Sequence, residues 1–240
     1  MNLFKEAADI KTADQLHLPT PTAVFHNVVA EPTEVQLAMM EELSERATKV
    51  HSGTIDPAVD NMLKITSDGR KLGLDQRIIN PNLPDDPMSK VNLCIDNIFT
   101  IWQENMAEKL TQLVFSDLST PKGKTTDNTT DEKPFTIYED IRDKLIARGV
   151  PTNEIAFIHD ADTEVKKKEL FGKVRSGQVR VLLGSTSKMG AGTNVQDRLI
   201  ALHDLDAPWR PGDLEQRKGR IVRQGGVCLC TRPSWKQWAN

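Results

Sequence analysis

Four short apolar runs in the second half of the chain, separated by stretches with helical spacing, limit the folds open to it. They are Gln112–Phe115, Ile155–Ile158, Val179–Leu183 and Leu199–Leu202. Runs of this length, rich in β-branched residues and bounded by turn formers, read as strands. Between and after them, Ile137–Arg148, Glu164–Arg175 (with a basic face) and Leu214–Arg223 read as helices. Strands alternating with helices imply a parallel sheet with helices on both faces, so the predicted class is α/β. The preceding region is predicted to be mainly helical, over Glu31–Val50, Asp60–Leu74 and Ser89–Leu110, with one short strand at Phe25–Val29. Asn80–Pro87 holds three prolines and two aspartates and reads as a connector. Ser119–Pro134 is a polar surface loop. The reading divides the chain into a helical region 1–88, an α/β lobe 89–225 and an atypical tail 226–240.

Within the lobe, chemistry concentrates in two pieces: Ser185-Thr-Ser-Lys-Met-Gly-Ala-Gly-Thr-Asn-Val195 and Glu215-Gln-Arg-Lys-Gly-Arg-Ile-Val-Arg-Gln-Gly225. The first is a loop after a strand, where Gly190 and Gly192 permit a sharp turn or a close approach to a ligand. The second is a helix. Asp213 is predicted to cap it, with Gln216 in capping-box position and Gly225 at its end. Gln216, Arg220 and Arg223 stand at i, i+4 and i+7 and share one face. Two guanidiniums on a rigid face suit forked hydrogen bonds to phosphate.

In this order, the two pieces resemble motifs V and VI of superfamily 2 helicases. Trp209-Arg-Pro211 and Asp213-Leu214 are similar to the Swi/Snf branch. The chain as far as Gly225 resembles the helicase region of large bacterial mobile-element proteins that often carry an adenine-specific DNA methylase. The resemblance implies a RecA-like helicase C-terminal lobe preceded by an inter-lobe region. It implies ATP with Mg²⁺ held mainly by a first RecA-like lobe, DNA as the track, and a fused methylase as a further partner. It further implies catalytic roles for Arg220 and Arg223, nucleotide contacts from Gln216, Gly190, Gly192 and Asn194, and nucleic-acid contacts from Ser185, Thr186 and Lys188.

Each of these residues also has a plainer reading. Arg220, Arg223 and Lys188 could be solvated surface charges, the glycines could shape a turn, and Ser185 and Thr186 could end a strand. Trp209 reads as a packing residue. Lys122-Gly-Lys-Thr-Thr126 looks like the end of a phosphate-binding loop, but Leu118 stands where that pattern needs glycine and no helix follows. The ATP-gripping half is therefore expected to lie elsewhere, and this chain alone is expected not to hydrolyse ATP. His159-Asp160 and His203-Asp204 end strands without a third partner and read as edge hydrogen bonding. Cys94, Cys228 and Cys230 make neither a disulfide framework nor a metal set.

The net charge of −3 argues against holding DNA by bulk electrostatics, so any such contact must be local. No apolar run has the length of a membrane span, and a reducing cytoplasmic setting is expected. Gly226–Asn240 departs from the family pattern and reads as a truncated or frame-altered end. The rival class is a degenerate, non-catalytic lobe that binds DNA or a partner. A phosphotransferase using Gly123-Lys-Thr125 is the third.

Overall fold

The computed structural model describes residues 21–121, 135–189 and 194–222. Gly190, Gly192, Arg223, the Gly-Lys-Thr stretch and the tail lie outside the described residues.

Two helices, α1 (Glu34–His51) and α2 (Met62–Leu74), form the first packed pair. Thr33 caps α1 through a capping box with Gln36, and Asn61 caps α2. Capping moves the start of α1 beyond Pro32, three residues later than the apolar spacing predicts. Helix α3 (Lys90–Glu104) begins at Ser89, whose side chain accepts from the Asn92 amide. Then follow β1 (Thr111–Phe115), α4 (Ile137–Ala147), β2 (Ile155–Phe157), α5 (Glu164–Ser176) and β3 (Val181–Gly184). A single helical turn α6 (Thr186–Met189), β4 (Leu199–Asp204) and α7 (Pro211–Ile221) complete the lobe.

Among the described residues the sheet has four strands, all parallel, in the order β2-β3-β1-β4. This is the expected α/β sheet, and each predicted strand of the lobe is present within two residues at either end. One face packs Val114, Val181 and Leu183 against Ile95, Ile98, Ile137 and Ile141 of α3 and α4. The other packs Leu113, Phe115 and Leu182 against Phe171 and Val174 of α5 and Met189 of α6. Continuous apolar strands are what a sheet covered on both faces requires. Leu74 and Ile78 join the first cluster, so the helical region is packed onto the lobe. No helix among the described residues is long and apolar enough to cross a membrane.

Three local expectations are corrected. Phe25–Val29 is not a strand: among the described residues it pairs with none of the sheet's strands, and Phe25 and Val29 stay 68% and 78% exposed. Trp209 is not a core residue but is 61% exposed, with the Arg70 guanidinium 4.4 Å above its ring. On α5 the basic face is reduced though not removed, two of its five cations pairing within the helix as Lys167–Glu164 at 2.8 Å and Lys173–Glu169 at 2.7 Å.

Candidate phosphate-facing site at the carboxyl ends of the strands

In a parallel sheet with helices on both faces, loops leaving the carboxyl ends of the strands are the natural place for a ligand. Here those ends carry acids and hydroxyls: Asp117 after β1, Ser185 and Thr186 after β3, and Asp204 and Asp206 at and beyond the end of β4. Gly184 makes the β3 turn feasible, because a Cβ there would lie 2.5 Å from Ile158 Cγ2 and 2.7 Å from Met189 Cγ. Both neighbours are buried, so neither can give way cheaply. The residues after β3 therefore fold back as the turn α6, where the sequence suggests a plain loop.

Helix α7 begins at Pro211, in the first helical position that suits proline, with Arg210 as its unassisted N-cap. The predicted Asp213 cap is thus corrected. Asp213 sits inside the first turn, where its charge favours the helix dipole, and Gln216 is an exposed mid-helix residue rather than half of a capping box.

This register turns Arg217 inward, about 100° around the helix from Gln216. Its side chain has no exposed surface. Nη2 pairs with Asp117 Oδ2 at 2.8 Å and Asp206 Oδ1 at 3.2 Å, and Nη1 pairs with Asp204 Oδ1 at 2.9 Å. Nε donates to Thr186 Oγ1 at 2.8 Å, and Nη1 also donates to the Asp206 carbonyl at 2.9 Å. The guanidinium lies 5.1 Å from the Phe115 ring centre. Thr186 is bound on its other side as well, its amide donating to Asp117 Oδ1 at 2.6 Å and its hydroxyl to Asp117 Oδ2 at 2.9 Å. Asp206 Oδ2 accepts from the amides of Asp117 at 2.6 Å and Leu118 at 2.8 Å.

The electrostatics follow from burial and charge balance. Burial works against the charge on Arg217, but the Asp204 hydrogen bond and the nearby carboxylates outweigh it and its pKa is raised. Asp204 titrates above its ordinary value, because burial, reinforced by Asp206 and Asp117, exceeds the help from Arg217. His159 Nε2 lies 3.4 Å from Ser185 Oγ, and burial, with Lys188 adding to it, lowers the pKa of that histidine.

The structure thus brings together part of the predicted set. Ser185 and Thr186 are buried at 5% and 9% exposure, with internal partners, while Lys188 on α6 is exposed. Gln216 is exposed and Arg220 half-buried on α7. Asn194 is exposed, its carbonyl accepting from Arg175 Nη1 at 2.9 Å. Arg217, Asp117, Asp204 and Asp206 escape the sequence reading. A signal for them exists: an aspartate follows β1 and another ends β4, and one arginine of the helix falls off the shared face.

Residues 107–225 match the family model described as the helicase conserved C-terminal domain. No curated protein matches the chain. Among solved structures it is similar to the DUF1998 helicase MrfA bound to DNA, at 14% identity and TM-score 0.38 over 56% of this chain and 17% of that one. The Hef helicase domain of Pyrococcus furiosus aligns at 14% identity and TM-score 0.38 over 85% and 38% of the two chains. The C-terminal part of the Fun30 ATPase domain aligns at 18% identity and TM-score 0.37 over 70% and 51%. The chain therefore spans about half or less of the length of these structures. Likenesses this low carry no argument, and the family match stands on the sequence of the lobe itself. Over residues 107–225 the chain is similar to the helicase conserved C-terminal domain.

Proposed function

We propose that this chain is the C-terminal motor lobe of an ATP-dependent DNA translocase or helicase of superfamily 2. The observation that carries this reading is the convergence of α6 and α7 at the carboxyl ends of β1, β3 and β4, tied by one buried guanidinium. Lys188 and the exposed end of α6 then face the nucleic-acid backbone, with the Ser185–Asn194 loop as its grip. Gln216 and Arg220, with Arg223 further along, face a nucleotide. ATP with Mg²⁺ is held chiefly by a first RecA-like lobe, and supplies the phosphoryl group whose charge the arginines meet when the cleft closes. Arg220 reaches a neighbouring lobe only in the closed state, which ties hydrolysis to movement. The Swi/Snf-like character, on Trp209-Arg-Pro211 and Asp213-Leu214, belongs to the same reading, as do a mobile-element setting and a fused methylase, on the resemblance of the chain as far as Gly225, and a cytoplasmic location, on its cysteine usage.

A second reading, a non-catalytic binding lobe, draws on Thr186, whose hydroxyl donates to Asp117 and accepts from Arg217 and so is already committed within the fold. Phosphate release separates the two. The 240-residue chain alone is expected to show no DNA-stimulated turnover; turnover abolished by Arg223→Ala contradicts this. Joined to a nucleotide-gripping lobe, Arg220→Ala should lower kcat by about a thousandfold and leave DNA affinity nearly unchanged. An equal loss of DNA affinity would assign Arg220 to the nucleic-acid backbone instead.

A further inference from the structure

Arg217 makes five polar contacts to three separate chain segments: the turn after β1, the turn α6 after β3, and the end of β4 with its following residues. It makes them from α7, the helix that carries Gln216 and Arg220. A guanidinium with no exposed surface cannot touch a ligand. What it can do is fix the distance between those that can.

Its partners show how the device works. Asp117 is shared: Oδ2 takes the Arg217 Nη2 and the Thr186 hydroxyl, and Oδ1 takes the Thr186 amide. The Arg217–Asp117–Thr186 ring therefore sets the pose of α6, and with it Lys188, relative to α7. Planarity matters. Nε and Nη1 point to different segments while Nη2 serves two carboxylates, a geometry that an ammonium cannot reproduce. Three carboxylates against one guanidinium leave an excess of negative charge, so without Arg217 they would repel one another and α7 would lose its seat. Asp206 would keep two amide donors, Asp117 and Leu118, and the side chains of Asp117 and Asp204 are already 28% and 35% exposed. Water can therefore take over at the carboxylates, and the failure stays local to α6 and α7.

We propose that Arg217 is a positioning residue that holds the backbone-gripping turn and the arginine-bearing helix as one rigid pair, spaced for two phosphate groups of different ligands. The proposal rests on the motor-lobe reading for the nature of those ligands.

The test uses the whole chain and Arg217→Gln and Arg217→Lys, with two readouts. Amide exchange should speed up at least about tenfold at Thr186 and along α7 in Arg217→Gln, with Leu113 and Leu182 in the sheet unchanged. Titration with a short DNA duplex and a single strand at several salt concentrations should show weaker binding. The slope of log affinity against log salt should fall by about one in Arg217→Gln, and Arg217→Lys should not restore it. Lysine keeps the charge of Arg217 but not its fork, so a slope that falls in both variants reports moved neighbours rather than a lost charge. Faster exchange spread evenly through the sheet would overturn the proposal and make Arg217 a general stability residue. So would full rescue by lysine, or local loosening with an unchanged slope. If the unsubstituted chain binds neither DNA, the motor-lobe reading fails first and the two-ligand spacing with it, while the exchange pattern still reports whether Arg217 seats α7.

Discussion

Arg180 and Arg217 are 2% and 1% exposed, one at the amino-terminal edge of the sheet and the other at the carboxyl-terminal edge. Arg180 precedes β3 and spends its donors on backbone carbonyls: Nε to Leu110 at 3.1 Å, Nη2 to Trp102 at 2.7 Å and to Asn105 at 3.0 Å. Its nearest carboxylate, Glu154, is 3.8 Å away and already accepts from Trp102 Nε1 at 2.6 Å. Burial consequently dominates and lowers the pKa of Arg180. Arg217 meets carboxylates, and its pKa is raised. The same side chain is thus used in two ways. Arg180 satisfies the carbonyls that α3 leaves at its end, which is a packing task. Arg217 binds charged groups on segments that leave separate strands, which is a task of alignment. The lower, amino-terminal edge of the sheet holds the fold; the upper, carboxyl-terminal edge aligns the segments of the candidate site.

The largest effect should come from Arg180→Met, which strips donors from three buried carbonyls. A global loss of about 3–5 kcal/mol is expected from urea unfolding. A loss smaller than that of Arg217→Gln would break the contrast between the edges. Arg217→Gln should cost less in global stability, about 1–3 kcal/mol, because two of the three carboxylates are already partly exposed and water, with the Asp117 and Leu118 amides, can take over there. The effect that is smallest at neutral pH, and that grows only on acidification, belongs to a histidine. His203 on β4 pairs with Gln112 Oε1 at 2.9 Å, and burial pushes its pKa down to about 4 from 6.5. The native state then refuses a proton that the unfolded chain accepts below about pH 6.5, so stability is lost as pH falls from there toward 4, by up to about 3 kcal/mol. His159, lowered in the same direction, adds to the slope. Stability curves at several pH values should flatten in His203→Gln, and an unchanged slope would show that His203 is not held neutral.

Much of the lobe was legible because its strands are short apolar runs that alternation alone identifies, as in Gln112–Phe115 and Val181–Leu183. Phe25–Val29 has the same local look and is not a strand, since a run of β-branched residues needs a neighbouring edge that only the tertiary structure supplies. The shared face of Gln216 and Arg220 could be read from helical spacing. The inward turn of Arg217 could not, because it depends on α7 starting at Pro211 and on three aspartates that lie 11 to 100 residues away along the chain. Charged residues close to one another in sequence look alike until the helix is seated.

The most direct test of the upper edge as the ligand-bearing one is an equilibrium titration of the unsubstituted chain, Lys188→Ala and Arg180→Lys with a short DNA duplex over a range of salt. Lys188→Ala is expected to weaken binding and reduce the salt slope by about one, with Arg180→Lys matching the unsubstituted chain in slope. Identical slopes for the unsubstituted chain and Lys188→Ala, or a slope that falls only in Arg180→Lys, would contradict it.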